Sequence, residues 1–217
     1  MSGKKPAGSN ASCGDVLRAL EEIAGEIAKC EKCPLSRSRT HTVPGEGNPC
    51  SGVVFIGEAP GRNEDLQGRP FVGAAGALLT ELISLAGLSR EEVFITNVVK
   101  CRPPNNREPR EEEIAACLPY LLAQLRAIKP RLIVTLGKHS TKTILRMRGM
   151  SVDSIMSVRG KAYTVNAEWG QVTVFPTLHP AAALYNPAMR KVLEEDFRFL
   201  RGLLEGGGQR TLDSWLG

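Results

Sequence analysis

The sequence predicts an α/β fold: a central, mostly parallel four-stranded sheet with helices on both faces. Three observations predict it. Residues 53–57, 93–97 and 132–136 are short unbroken apolar runs, as in strands buried on both faces. Longer segments with helical spacing separate them. Each of the first two runs stops at a glycine or an asparagine, where a strand can turn.

The 217 residues suit one principal domain, at 15–204, with a disordered lead at 1–14 and a linker and tail at 205–217. Asp15 is placed to cap a first helix to about Lys29, with Val16, Leu20, Ile23 and Ile27 on one face. It runs into Cys30-x-x-Cys33-Pro34, and residues 40–49, rich in Gly and Pro, read as loop. After the first strand, Gly57-Glu58-Ala59-Pro60-Gly61 opens a loop of Gly, Pro and acidic residues that continues through Glu64 to Phe71. Such loops can turn backbone amides inward as an anion-binding surface. Residues 74–86 form a small-residue helix closed by Gly87, then comes the strand ending at Asn97 and a basic irregular segment, 101–107.

Pro109 fits the first position of a long helix to about Lys129, with acidic residues in its first turn. Strand 132–136 and helix 138–145 follow. Residues 158–165 and 171–175 are expected as strands around a turn at 166–170. Residues 187–204 make a last amphipathic helix with Val192, Phe197, Leu200 and Leu204 as core candidates. Gly206–Gly208 is a linker.

Hydrophobic residues make up 42% and aromatics only 5%, so the core is expected to be mostly aliphatic. The net charge of +5 tilts towards an acidic partner such as nucleic acid. No apolar run approaches the roughly 18 residues of a membrane span, and the polar start lacks a signal-peptide core. A cytosolic, monomeric protein is expected.

The six cysteines are too unevenly spaced for a small disulfide scaffold. Cys30 and Cys33 come from one tight loop, Cys101 from beyond a strand and Cys117 from the long helix. Together they can converge on one metal or cluster. Zinc sites more often pair two tight C-x-x-C units, so the spacing favours a [4Fe–4S] cluster. Cys117 alone would read as a buried thiol. Cys13 and Cys50 lie outside the pattern and are expected as free thiols, with a mutual disulfide as the alternative.

Three strand ends can meet in one crevice: the loop after Gly57, Asn97, and His179, which follows a strand and precedes Pro180. Singly, each has a plain structural role. Asparagine ends strands, His-Pro makes turns, and Glu58 and Glu64 suit a solvated loop. Together they offer a stacking ring, Phe71, an amide that donates and accepts, and an imidazole. That set suits a flat polar heterocycle with an imide edge. Signatures of serine hydrolases, Walker loops and zinc deaminases are missing from the sequence.

The segments Gly57-Glu58-Ala59-Pro60-Gly61, Gly68-Arg69-Pro70-Phe71-Val72-Gly73, Thr96-Asn97-Val98-Val99-Lys100-Cys101-Arg102-Pro103-Pro104 and His179-Pro180 resemble the family 4 uracil-DNA glycosylases. These are the iron–sulfur enzymes of archaea and thermophilic bacteria, and the likeness spans about residues 15–204. It implies a [4Fe–4S] cluster on Cys30, Cys33, Cys101 and Cys117, and uracil-containing DNA as substrate. Phe71 would stack on the flipped base, Asn97 would read its imide edge, and Glu58 and Ala59 would exclude a thymine methyl. His179 would stabilise the departing uracil anion, and Glu64 would hold the attacking water. Leu184 would fill the gap left by the flipped base. Arg102, Arg107, Arg110, Lys138 and Lys142 are candidate phosphate contacts. Residues 102–110 carry no histidine, unlike the branch that traps uracil-DNA covalently.

In the tail, Leu212, Trp215 and Leu216 fall on one side of a helical turn, following Gln209. This resembles the clamp-interaction box of replication and repair proteins, with Leu216 where a second aromatic is usual. It implies a sliding-clamp partner, a nucleoid-associated location and, with the family, a thermophilic archaeal source. The competing reading is a non-catalytic iron–sulfur DNA-binding or clamp-tethered module. It leaves Glu58, Phe71, Asn97 and His179 without a task.

Overall fold

The computed structural model describes residues 12–147 and 149–206. The tail with Gln209, Leu212, Trp215 and Leu216, and nearly all of the lead, lie outside them. Helix α1, Cys13–Ala28, is capped by Ser12 rather than Asp15. Asp15 instead closes a capping box, its carboxylate accepting from the Ser12 N–H. Strand β1, Glu46–Gly47, lies inside the segment read as loop and is too short to leave a periodic signal.

Strand β2, Val53–Gly57, is buried along its whole length. Helix α2, Arg62–Gln67, then interrupts the Gly/Pro-rich loop, and α3, Ala74–Leu85, follows as expected. Strand β3 is Phe94–Asn97. Helix α4, Glu111–Ile128, starts two residues beyond Pro109 with Arg110 as its cap, because the Glu113 carboxylate accepts from the Arg110 N–H there. Strand β4 is Leu132–Leu136 and α5 is Lys138–Arg146.

The expected strand from residue 158 begins only at Tyr163. Residues Ile155–Val158 form the short helix α6, and Arg159 is then drawn to the buried Asp196. Strands β5, Tyr163–Ala167, and β6, Gly170–Thr177, make a hairpin. Helix α7, Ala181–Tyr185, and helix α8, Pro187–Glu205, complete the described chain. On α8, Leu193, Phe197 and Leu200 are buried, while Val192 and Leu204 pack at the margin.

The sheet has six strands rather than four, in the order β1-β3-β2-β4-β6-β5. The four central strands are parallel, and antiparallel β1 and β5 close the edges. Alternation along β2 sends Val54 and Ile56 to the face covered by α1, α4 and α5, and Val53 and Phe55 to the face covered by α3 and α8. The first connection out of β2 adds β3 on one side. The next adds β4 on the other. The direction therefore reverses at β2, and the crevice beyond these strands' C-terminal ends is where α/β sheets bind ligands.

Cys13 and Cys50 form a disulfide, correcting the expectation of free thiols. The fold packs the start of α1 against the turn before β2, which sequence spacing could not reveal.

Candidate active site

A cleft of about 550 Å³ opens at those strand ends, within the usual range for small-molecule pockets. Glu58, Ala59, Glu64, Phe71, Asn97, His179 and Leu184 all line it, so the residues expected to meet do meet. β2 delivers the Gly57 turn, β3 delivers Asn97, and β6 leads through Leu178 to His179.

Asn97 is 1% exposed, and its Oδ1 has no hydrogen-bond partner. A buried acceptor left unpaired costs about 1–3 kcal/mol, and a ligand N–H would recover that. Gly57 has to be glycine here, since a Cβ would run into Asn97 Oδ1 and the Phe71 ring. Phe71 is buried with φ of 51°, a left-handed conformation that a bulky residue rarely holds without functional cause. Gly76 on α3 makes this possible, because any side chain there would collide with the Phe71 backbone. The Phe71 ring lies 5.6 Å from the His179 ring and 28° from parallel to it.

His179 Nδ1 accepts from the Ala181 N–H at 3.1 Å. Nε2 is thereby the nitrogen that carries the proton in the neutral ring. Burial pulls the imidazole pKa down to about 4, and the Glu64 carboxylate opposes this only in part. The ring is a neutral donor. Glu64 itself spends both oxygens on the backbone: Oε2 accepts from Gly61 N–H, and Oε1 from Val72 and Gly73 N–H at 2.9 and 3.0 Å. It staples the start of α2 to the loop that carries Phe71.

The Glu58 carboxyl is pushed up by burial, against the pull of His139 and with a further push from Glu108. His139 at the start of α5 places Nε2 3.1 Å from Glu108 and 4.0 Å from Glu58. Asn106 and Tyr185 line the cleft and His139 approaches Glu58 from outside that lining; the sequence alone points to none of the three. His139 follows the end of β4 and lines a separate pocket with Glu111, Lys142 and Arg146, touching the cleft only through Glu58. Tyr185 is 89% exposed beside Leu184, itself 46% exposed, so Leu184 is no core residue.

The phosphate candidates differ in freedom. Arg107 forks onto the fully buried Glu113, and Arg102 bonds Asn106. Arg110 and Lys142 hold only loose surface pairs with Glu112 and Glu111, at 3.5 and 3.8 Å. Lys138 is exposed.

Behind the cleft, Cys30, Cys33, Cys101 and Cys117 are all unbridged and line a single cavity with Ile27, Val99 and Tyr120. Two donors aim at sulfur there: Arg39 Nη1 lies 3.4 Å from Cys101 Sγ and the Lys100 N–H 3.3 Å from Cys117 Sγ. As free thiols, Cys101 and Cys117 are pushed up by burial, Cys117 to about 11. Among the described residues no three His, Cys, Asp or Glu side chains close on a point tightly enough for a single ion. Four unbridged thiols around one cavity, two of them met by N–H donors, form a donor set that fits a thiolate-held metal centre.

A cleft at parallel strand ends, walled by the Phe71 ring, the unpaired Asn97 Oδ1 and the His179 imidazole, fits an α/β enzyme whose ligand is a flat polar ring. The model of the Uracil DNA glycosylase superfamily matches residues 44–201. The chain is 57% identical to the type-4 uracil-DNA glycosylase of Saccharolobus solfataricus, over 91% of each chain. It is 56% identical to that of Sulfurisphaera tokodaii, over 93% of this chain and 92% of the relative. With that of Archaeoglobus fulgidus the identity is 49%, over 92% of this chain and the relative's full length. The chain belongs to the uracil-DNA glycosylase superfamily and, within it, to the type-4 enzymes.

Proposed function

We infer that this protein removes uracil from DNA by hydrolysing the N-glycosidic bond, leaving an abasic site for base-excision repair. The observation that carries the site assignment is the buried, unpartnered Oδ1 of Asn97 in a cleft walled by Phe71 and His179. Uracil N3–H is a donor that this oxygen lacks, and the Asn97 amide N–H can donate to O4. Cytosine offers a lone pair at N3 and an amino group at C4, the reverse pattern.

The nucleotide leaves the stack to enter the cleft. Phe71 stacks on the flipped ring, and Glu58 with Ala59 closes the C5 edge against a thymine methyl. As the bond breaks, the sugar gains oxocarbenium character and negative charge collects on uracil. The His179 Nε2–H donates to O2 as that charge grows; donors of this kind are typically worth ~3–4 kcal/mol. A neutral imidazole donates a hydrogen bond without needing to be protonated first. The water that attacks the sugar is positioned by the backbone of the loop that Glu64 staples, so Glu64 acts by holding that loop. Leu184 enters the duplex as a wedge, and Arg110, Lys138 and Lys142 are free enough to meet phosphates.

Cys30, Cys33, Cys101 and Cys117 are the residues to hold a [4Fe–4S] cluster. Glycosidic hydrolysis moves no electrons, so the cluster's contribution is to cross-link the segment after α1, the Cys101 loop and α4. The tail residues Gln209, Leu212, Trp215 and Leu216 are proposed as a sliding-clamp ligand. Removing residues 205–217 is expected to abolish clamp binding and leave excision from short oligonucleotides intact.

The deciding experiment is alkaline strand scission of an oligonucleotide with a single uracil after incubation with the protein. Cleavage at uracil, absent with thymine or cytosine there and lost in Asn97→Ala, is the expected result. A folded protein that leaves the uracil strand whole refutes the reading.

A further inference from the structure

Lys100 is 0% exposed, yet no carboxylate accepts from its amine. Nζ instead donates to Thr96 Oγ1, the Asn97 backbone carbonyl and Gln124 Oε1, at 2.6, 2.7 and 2.6 Å. Burying an amine among neutral groups is costly, and an apolar side chain of similar volume would fill the space more cheaply. The return has to lie in what the amine holds.

The network reaches further than its three bonds. Gln124 Nε2 donates to the Pro44 carbonyl, which also accepts from Thr96 Oγ1. The segment after Asn97 is latched to the pocket loop, Val98 N–H donating to Gly57 O and Val99 N–H to Glu58 O. The Lys100 backbone N–H, in turn, points at Cys117 Sγ. The main chain at Asn97 is therefore held by the β2–β3 pairing on one side and by the Lys100 amine at its own carbonyl. Asn97 itself keeps its Oδ1 unpaired, so its own side chain supplies no such anchor at that atom.

We propose that Lys100 is a positioning residue for uracil excision, gripping the Asn97 carbonyl so that the amide meets the base edge in register. The inference rests on the base-reading role of Asn97 given above. A strand end that could shift by a fraction of an ångström would lose alignment with the imide edge, and misplacements of about 1 Å cost up to ~100-fold in rate.

The test is a double-mutant cycle in single-turnover kinetics on a uracil-containing duplex, using the full-length protein, Asn97→Ala, Lys100→Met and the double variant. Lys100→Met is expected to lower kcat by about tenfold to a hundredfold, with KM for DNA unchanged, because no DNA-facing residue is altered. In the Asn97→Ala background the same substitution is expected to cost less than about twofold, since residues that act through one another do not add. Gln124→Met removes one acceptor while leaving the amine, and should show the same coupling; it decides the matter if Lys100→Met does not fold. Full kcat in the folded variants, or losses that multiply unchanged in the Asn97→Ala background, overturn the proposal and leave a purely structural lysine. If Asn97→Ala itself retains full activity, the base-reading assignment falls first and Lys100 with it.

Discussion

Ala181 donates its backbone N–H to His179 Nδ1 across 3.1 Å, so the proton of the neutral ring sits on Nε2. Two residues of separation suffice because α7 begins directly after Pro180. The turn that follows the strand thus sets the tautomer of the residue assigned to the leaving group.

Burial holds the His179 pKa at about 4, against an ordinary value of 6.5. A depressed pKa means the unfolded chain binds the proton more readily. The contribution to stability is therefore complete above about pH 6.5 and lost as pH falls through 4. The rate of uracil excision should show no inflection for this histidine near pH 6.5, only one near pH 4. His179→Ala should lose about 10²–10³ in kcat. A pH–rate profile on pre-bound substrate checks both, and a limb near neutrality that vanishes in the variant would contradict the neutral donor.

Gly76→Ala should damage the site through Phe71, whose backbone occupies the space of the new methyl. Overpacking of this kind costs about 1–3 kcal/mol. Excision should fall further than stability does, because the stacking ring moves. Comparing denaturation midpoints with single-turnover rates separates the two effects.

Leu184→Ala removes a half-exposed side chain, so stability should stay within about 0.5 kcal/mol. Uracil excision should fall on duplex DNA and much less on single strands, where no partner base leaves a gap. Equal losses on both substrates would argue against a wedge.

Purified protein should carry about four irons with matching labile sulfide and little zinc. Cys101→Ser should lose the metal and much of the thermal stability together, since it cuts the tie to the Cys30–Cys33 loop. Stoichiometric zinc with no sulfide would overturn the cluster assignment.

Cys50→Ser should destabilise the fold by roughly 2–4 kcal/mol, the usual scale for opening a loop of this size, here 37 residues apart in sequence. Excision at moderate temperature should be unaffected, because the bridge lies at the start of α1, away from the cleft. Denaturant melts with and without reductant measure it.

Strands β2 and β4 were legible because each is an unbroken apolar run, and Asn97 and His179 were legible as the residues that follow such runs. β1 was not, since two residues leave no period. Helix α2 was hidden because glycine, proline and acids read as loop, although its Glu64 caps it as an acidic third residue should. The strained Phe71 and the need for glycine at 76 depend on the tight backbone path between them, which residue types alone do not announce. The task of Lys100 was not legible, because nothing in sequence says that a lysine beside a cysteine will be fully buried.

The short β1 has a consequence for how the protein behaves in a crowded solution. Val43 N–H donates to Lys100 O and Asn48 N–H to Val93 O, with the Glu46–Gly47 pair between them. The outer margin of β3 is thus covered end to end by a segment with almost no strand character. Gly47 sits where any side chain would strike Val93 O. An incoming chain finds little free backbone there to pair with, and exposed strand margins are where sheets recruit one another into aggregates. That seal leaves the β3 side of the sheet with little for a second chain to extend.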